Sequence, residues 1–514
     1  MDSLEQWLNS QSVLSKAIND FLAKSSDLYE NGLVADLAVS ATVVSQVSSR
    51  VSELETLHHS NQEALVLTKR FLNNAWNRAP VNTLPFEVLA RIFELTAVPF
   101  CYFDRDLSYS QDREGKHDRL IDLSSVCSLW RKIMLQCGWL WAHVDMTLNS
   151  QKGSYQAFCP GILWLERSNG YPLHIHYEAI DEEHSFYNPV SDILRPYAKQ
   201  ISTITFGPSS ESSVIQDILK VLHQHGDINS VTVLEIQVPK FGEGSTNRTP
   251  LPDCFRRLVR LDLRQCGQMG WSVYQLATVL SNDPCLRTVS LRTIFTRFEK
   301  HDTFPMINLP ELRYFDLRGA SEHVVEIILP LISPITRRIH FGVDVYHRAP
   351  TVASITSFLS RSFVTSLVLS QGQPDFPGPL TPYILAARNI QTLFATPCTE
   401  KTADRSLIEL KTLAEQDAFP SLEALYLVDR KIGKNQQDEI ESLLRKLALD
   451  KLGLINCGFR SVGSCWQDES AEEKKTFIAH VSCRVAKVVD LKVYDGFNSN
   501  WEKFVQNEVF GRAI

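Results

Sequence analysis

The sequence predicts an α+β protein in which a helical N-terminal part is followed by an α/β solenoid of short parallel strands. Three observations predict it: apolar residues at helical spacing near the N-terminus, an apolar triple that recurs from residue 201 onward, and helical stretches between the triples. The chain has 514 residues, 44% of them hydrophobic, and can bury a large core. We expect four regions: a helical arm at 1–79, a helical module at 80–146, a linker and entry segment at 147–200, and a repeat domain at 201–514.

The composition excludes several classes of function. Lys and Arg number 52 against 59 Asp and Glu, and a net charge of −7 argues against nucleic acid as the main partner. No apolar run approaches the ~18 residues that span a bilayer, and no basic stretch precedes an apolar core at the N-terminus. The eleven cysteines are scattered without a C-x-x-C pair. We therefore expect an intracellular protein, cytoplasmic or nuclear, with reduced thiols and no membrane partner.

The helical arm is free of proline, and its apolar residues recur at helical spacing, as at Val44, Val47 and Val51. His58 and Asn61 occupy positions where a heptad seam needs apolar residues. The pattern therefore favours two helical segments packed on another element over one long coiled coil. Homodimerisation through the arm stays a weaker alternative.

The helical module opens with the segment LPFEVLARIFELT at Leu84–Thr96. Pro85 suits a first helical turn, where its missing N–H costs no hydrogen bond. One apolar stripe is predicted at Val88, Leu89, Ile92 and Phe93. The charged insertion at 98–119 is typical of a solvated loop, and a second helix is predicted from Leu120, with these residues facing inward: Leu123, Val126, Cys127, Trp130, Ile133 and Met134.

The repeat domain carries the triple L-x-x-L-x-L or an apolar variant of it. Examples are Leu258/Leu261/Leu263, Leu286/Val289/Leu291 and Leu422/Leu425/Leu427. Middle positions of successive triples lie 24 to 39 residues apart, mostly close to the ~20 to 29 residues of leucine-rich repeats. Strands and helices alternating at this period build a parallel sheet whose units bury their apolar sides against each other. The sequence predicts a leucine-rich-repeat horseshoe.

The helical module resembles an F-box over about residues 82–146. The residues that carry the resemblance are Leu84-Pro85-x-Glu87-Val88-Leu89 with Ile92-Phe93, Val126-Cys127-x-x-Trp130-Arg131, and Leu140-Trp141. It departs from the family in the 22-residue insertion at 98–119. Downstream, WLERSNGYPLHIHYE from Trp164 is similar to the stretch that joins the F-box to degenerate leucine-rich repeats in the large F-box families of filamentous fungi.

The resemblance implies a non-catalytic adaptor, a monomer within a hetero-complex. Its F-box would dock on the Skp subunit of a cullin-based ubiquitin ligase, and its repeats would hold a target protein. The predicted Skp-binding residues are Leu84, Pro85, Val88, Leu89, Ile92, Val126, Trp130, Leu140 and Trp141. The alternative is that these side chains close a core within the chain, which we favour for Ile92, Val126 and Trp130. A rival function is a ligase-independent scaffold whose F-box-like helices cap the repeats.

Residues between the Leu positions of a strand face the side predicted to be concave. One column there is Glu235, Asp262, Ser290 and Asp316, and the next is Gln237, Arg264, Arg292 and Arg318. Arginines about 4.8 Å apart on adjacent strands repel one another. We favour compensation by the Asp column; the alternative is a target anion gripped by guanidinium groups. The candidate target contacts are Asp262, Arg264, Arg292, Asp316 and Arg318, and farther on the column becomes more apolar at Val428 and Ile455.

The sequence shows no catalytic motif, since a P-loop, an H-E-x-x-H and a G-x-S-x-G are all missing. The pairs His174/His176 and His223/His225 have no Cys or carboxylate at zinc spacing beside them. We therefore expect surface or loop histidines and a non-enzymatic protein without metal or cofactor.

Overall fold

A computed structural model describes most of the chain. The described residues are 2–34, 41–74, 80–97, 118–148, 159–179, 190–207, 210, 212–226, 230–237, 255–264, 271–292, 303–371, 378–396, 400–428, 431–432, 434–455, 457–459 and 471–491. They fall into two compact units, one formed by residues 1–84 with 127–129 and the other by residues 85–126 with 130–514. Most of the predicted insertion, residues 98–117, lies outside the described residues.

The first unit contains two long helices, α1 (Asp2–Val34) and α2 (Ala41–Asn74), and a 3₁₀ turn (Pro80–Thr83). The arm is helical, but the interruption expected at His58 and Asn61 is not seen, because α2 continues through both residues. Packing of the apolar residues of α1 and α2 on another element is not seen for several of them, because Val13, Leu22 and Leu57 are each about 60% exposed or more.

Most of the helical module belongs to the second unit. The module contains α3 (Phe86–Ala97), α4 (Asp118–Val126), α5 (Ser128–Gln136) and a 3₁₀ turn (Gly138–Trp141), and the first two residues of α5 are grouped with the first unit. The carbonyl of Pro85 accepts hydrogen bonds from the N–H groups of Val88 and Leu89, so proline sits at the start of α3 as predicted. The buried ring of Phe93 packs on Trp130, with ring centroids 4.9 Å apart.

A sheet of thirteen strands follows, with all neighbours parallel and nearly all in chain order. Its strands are β1 (His143–Leu148), β2 (Leu173–Ala179), β3 (Ile201–Phe206), β4 (Val233–Gln237), β5 (Arg260–Arg264), β6 (Thr288–Arg292), β7 (Tyr314–Asp316), β8 (Ile339–Asp344), β9 (Val364–Ser370), β10 (Thr392–Thr396), β11 (Ala424–Val428), β13 (Lys451–Ile455) and β15 (Lys487–Leu491). The short strands β12 (Lys431–Ile432) and β14 (Gly458–Phe459) form a separate pair.

Helices connect most of the strands and lie on one face of the sheet. They are α6 (Cys159–Arg167), α7 (Val190–Leu194), α8 (Ser212–His225), α9 (Val273–Asn282), α10 (Glu322–Leu331), α11 (Ala349–Arg361), α12 (Thr381–Ala386), α13 (Glu400–Glu415), α14 (Lys434–Lys446) and α15 (Ala471–Ser482). At the Leu positions of β7 and β8, Phe315 and Phe341 contact Phe358 of α11, with ring centroids 6.0 and 4.9 Å apart. The chain thus folds as the α/β leucine-rich-repeat solenoid that the triples predict.

The sheet begins earlier than residue 201, where the sequence places the repeat domain. Strand β1 already pairs in register with β2, and β2 pairs with β3 with a register shift between Leu173 and His174. Trp141, Val144 and Met146, all buried, repeat the spacing of the triple with an aromatic residue in its first position. Among the described residues, no helix is both long enough and apolar enough to cross a membrane.

Candidate docking surfaces

Helix α3 carries apolar residues on two sides. Leu89, Ala90 and Phe93 lie on the side that other residues of the chain cover, and they are buried. Val88, Ile92 and Leu95 follow i, i+4, i+7 spacing and lie on the other side, 43%, 36% and 62% exposed. We call these three residues the α3 stripe. An apolar row of this kind loses contact with water only if another surface covers it.

The predicted Skp-binding residues divide between surface and core. Leu84, Pro85, Val88, Ile92 and Val126 are exposed, and Trp130 is half-buried. The inward orientation expected for Ile92 and Val126 is therefore not seen.

Three predicted docking residues point into the chain: Leu89, Leu140 and Trp141. Leu89 is buried because it lies on the covered side of α3, with Ala90 and Phe93, and not in the α3 stripe. For Leu140 and Trp141 the reason is a packed joint between the helical module and the first strand.

Trp141 is the centre of that joint. Its indole Nε1 donates a hydrogen bond to the carbonyl of Met134 at 2.9 Å. The ring of Trp164 in α6 meets it edge-on, with centroids 6.0 Å apart, and the guanidinium carbon of Arg167 lies 4.6 Å from its centroid. A fully buried tryptophan with these contacts fixes the end of the helical module against the start of the sheet.

The second surface is the face of the sheet opposite the helices, which carries the residues between the Leu positions. We call it the ladder face. Its predicted column is confirmed by the strand register: Glu235 lies opposite Asp262, Asp262 opposite Ser290, and Ser290 opposite Asp316. Arg264 likewise lies opposite Arg292.

Each of the three predicted arginines contacts a carboxylate. Arg264 makes a two-point contact with Asp262 on its own strand, Nε to Oδ1 at 3.0 Å and Nη2 to Oδ2 at 2.6 Å. Arg292 reaches across to Asp316 on the next strand, with Nε 2.9 Å from Oδ2. Arg318, in the turn that follows β7, contacts the same carboxylate, with Nη2 2.8 Å from Oδ2.

The two aspartates are buried and stay charged. Burial opposes ionisation of Asp262, but Arg264 and further guanidinium groups lower its pKa to about 2. Asp316 is likewise buried, and Arg292 and Arg318 hold its pKa well below its usual value. The geometry favours the reading in which the Asp column compensates the arginines; a role of these residues in binding a target stays a prediction.

Gly342 is required where the ladder face crowds around Asp316. A Cβ at this position would lie 2.7 Å from Oδ1 of Asp316, closer than a side chain can approach. Gly342 lies directly opposite Asp316 in the register. The absence of a side chain there makes room for the carboxylate and its two arginines.

Toward the C-terminus the ladder face becomes apolar. Val368, Phe394, Ala424, Tyr426, Val428 and Ile455 form a buried cluster. The rings of Phe394 and Tyr426 stack with centroids 4.4 Å apart, and Nζ of Lys451 lies 5.6 Å from the Tyr426 centroid. The expected apolar character at Val428 and Ile455 is present, inside the chain and not at its surface.

The histidine pairs differ from each other. His223 and His225 lie exposed on α8, in keeping with the sequence-based expectation. His174 and His176 belong to strand β2. His174 is exposed, in keeping with the expectation of a surface histidine, whereas His176 is buried. Burial, followed by the neighbouring His143, lowers the pKa of His176 to about 3. A carboxylate is also close, because Asp145 lies opposite His176 on strand β1.

No protein-family model matches the sequence, and no curated protein matches it. Among solved structures, the chain is similar to the leucine-rich repeat-containing protein LegL7 from Legionella pneumophila, with a TM-score of 0.36 and 14% sequence identity, over 67% of this chain and 97% of that chain. The repeat fold rests on the parallel register of the thirteen strands.

Proposed function

We propose that the chain is a non-catalytic adaptor of a Skp/cullin/F-box ubiquitin ligase, in which the helical module docks on a Skp-type subunit and the repeats bind the target protein. The observation that carries this proposal is the α3 stripe. It lies within the segment that resembles an F-box, and it presents aliphatic side chains to solvent while the other side of the same helix is buried.

Further exposed apolar residues support a protein partner at the helical module. Ile121 on α4 and Leu135 on α5 are 42% and 45% exposed, beside the exposed Val126. Covering a fully exposed aliphatic side chain contributes roughly 1.5 to 3 kcal/mol, so side chains that are 36% to 62% exposed contribute about half as much each.

Target binding is assigned to the repeat domain as part of the same proposal. On the ladder face, the side chains of Arg264 and Arg318 keep 18% and 15% of their surface exposed, whereas Asp316 is fully buried. A target carboxylate or phosphate would have to share these guanidinium groups with the aspartates. Proximity labelling with the wild type and with the variant carrying Arg264→Gln and Arg318→Gln tests this part of the proposal. If both chains label the same proteins, the arginines do not bind the target, and the adaptor proposal is unaffected.

Co-expression of the full chain with a Skp-type subunit tests the docking step. We expect the wild-type chain to co-purify with it and the Ile92→Asp chain to lose at least tenfold in recovery, because a carboxylate in the α3 stripe would be buried unpaired at the interface. The matched control is Ile408→Asp on α13, where Ile408 is 55% exposed and far along the sequence. Far-UV circular dichroism of all three chains checks that the fold survives.

A ligase-independent scaffold is the second candidate, and the Trp141 joint favours it. The buried contacts of Trp141 with Met134 and Trp164 make the helical module a continuation of the sheet, as in a cap that closes a repeat array. If wild type and Ile92→Asp recover the Skp-type subunit equally, or neither recovers it, the adaptor is wrong and the scaffold is favoured.

A further inference from the structure

A group of potential metal ligands lies on the ladder face at the N-terminal edge of the sheet. His143 and Asp145 belong to β1, and His176 belongs to β2, opposite Asp145. Nε2 of His143 lies 3.4 Å from Oδ1 of Asp145. The imidazole rings of His143 and His176 have centroids 4.4 Å apart, and one ligand atom from each of the three residues lies within 4.8 Å of the others.

These distances suit a small divalent transition-metal ion. Zinc binds its ligands tetrahedrally at about 2.0 to 2.1 Å, so two donor atoms of one site lie about 3.4 Å apart. The separation of Nε2 in His143 from Oδ1 in Asp145 already has this value. Donor pairs farther apart need shifts of about 1 Å, which rotation about the imidazole and carboxylate side-chain bonds supplies.

The donor set selects among metals. Two imidazole nitrogens with one carboxylate oxygen match zinc and its neighbours among the divalent transition metals, whereas Ca²⁺ and Mg²⁺ take oxygen ligands. The side chains of His143 and Asp145 keep 12% and 10% of their surface exposed, which leaves the site open on one side. Three protein ligands and one open position are the arrangement in which water completes the zinc coordination.

We propose that His143, Asp145 and His176 bind a divalent transition-metal ion, with Zn²⁺ as the natural occupant. Its effect follows from where the ligands lie. Among the described strands, β1 is the first of the sheet and pairs with β2 alone, so one row of hydrogen bonds holds it there. An ion bound by two residues of β1 and one of β2 joins these strands beside the Trp141 joint and stabilises the end of the repeat array.

Titration of the metal-free full-length chain with Zn²⁺ and with Co²⁺ tests the site. We expect one high-affinity Zn²⁺ per chain, a Co²⁺ absorption spectrum of a four- or five-coordinate nitrogen and oxygen site, and a higher thermal midpoint with Zn²⁺. His176→Gln on β2 and His143→Gln on β1 should each weaken Zn²⁺ binding at least tenfold. His223→Gln, which removes an exposed histidine of α8, should bind Zn²⁺ like the wild type.

Two outcomes would overturn the site. One is equal Zn²⁺ affinity in the wild type and both strand variants, each shown by circular dichroism to be folded. The other is a Co²⁺ spectrum dominated by sulfur-to-cobalt charge transfer, because the chain has eleven cysteines and this band would assign the metal to thiolates. Neither result depends on whether the helical module docks on a Skp-type subunit.

Discussion

The α3 stripe and the ladder face reverse the usual placement of residues. The α3 stripe is apolar and exposed, with Leu95 at 62%, whereas the ladder face holds charged groups out of water, with Asp316 at 0% and Arg292 at 6%. Proteins normally bury aliphatic side chains and expose ionised ones. A buried charge must be paired, and an exposed apolar row is stabilised when another surface covers it. Among the described residues, the charges of the ladder face are paired, whereas the α3 stripe is left exposed.

On the ladder face the partner is present. The Asp316 carboxylate accepts hydrogen bonds from Arg292, Arg318 and the hydroxyl of Tyr314, the last at 3.1 Å. On the α3 stripe the aliphatic side chains end in solvent. The difference teaches that the buried charges are satisfied within the chain, while the exposed apolar area of α3 is the part that we propose for association.

The largest effect is expected from removing the charge of Asp316. Asp316→Asn leaves the buried Arg292 and the half-buried Arg318 without their carboxylate, and we expect the free energy of unfolding to fall by about 3 to 5 kcal/mol. Equilibrium urea unfolding followed by circular dichroism measures it. The control is Asp192→Asn, which breaks the exposed pair with Arg195 and should change stability by less than about 0.5 kcal/mol. Equal effects of the two variants would show that the ladder face does not stabilise the fold.

Neighbouring residues on α3 give the next comparison. Leu89→Ala empties a buried position and should cost about 2 to 4 kcal/mol, whereas Val88→Ala trims an exposed side chain and should cost less than about 0.5 kcal/mol. Hydrogen exchange of the α3 backbone amides measures both in the intact chain. A similar loss of protection in the two variants would mean that both sides of the helix are packed in solution, and the α3 stripe would not be a docking surface.

The sequence predicted the register of the ladder face because two periods act together. Side chains alternate along a strand, and the triples align one strand with the next, so the opposition of Asp262 and Ser290 follows from spacing alone. The spacing does not predict which carboxylate each arginine contacts. Arg264 turns back to its own strand and Arg292 crosses to the next, and this choice depends on side-chain torsions and on the room that Gly342 leaves around Asp316.

The docking residues and the histidine cluster show two other limits. Helix α3 is apolar on two sides, so the pattern could not tell which side the chain covers, and it placed Leu89 outside and Ile92 inside. The ligands Asp145 and His176 are separated by about one repeat in sequence and meet because β1 pairs with β2. The spacing of Trp141, Val144 and Met146 was the signal for β1, and it was missed because tryptophan occupied the first position.

The smallest effect is expected at Asp344, which also lies on the ladder face. Two guanidinium groups bind the carboxylate of Asp316, whereas Asp344 accepts from a backbone N–H group. Asp344 accepts a hydrogen bond from the N–H of Gly319 at 2.7 Å, but burial dominates and raises its pKa to about 6. The folded chain therefore holds this proton more tightly than the unfolded chain, in which the pKa is near 3.8. The resulting stabilisation is complete below pH 3.8 and is lost as the pH rises through about 6.

Asp344→Asn should remove this dependence, because the amide oxygen can still accept from Gly319 and carries no charge. Raising the pKa of Asp344 from 3.8 to about 6 corresponds to roughly 3 kcal/mol of lost stability once the carboxyl is ionised. The variant avoids this loss, but its buried amide N–H₂ needs a hydrogen-bond partner. We therefore expect the variant to be more stable than the wild type by about 1 kcal/mol at pH 7.5. Urea unfolding at pH 5.0 and 7.5 measures the difference between the two chains. Asp316 provides the contrast, because its carboxylate stays charged across this range and Asp316→Asn should destabilise the chain equally at both values. If the free energy of unfolding of the wild type exceeds that of Asp344→Asn by more at pH 7.5 than at pH 5.0, the fold stabilises the ionised form of Asp344, and the prediction is wrong.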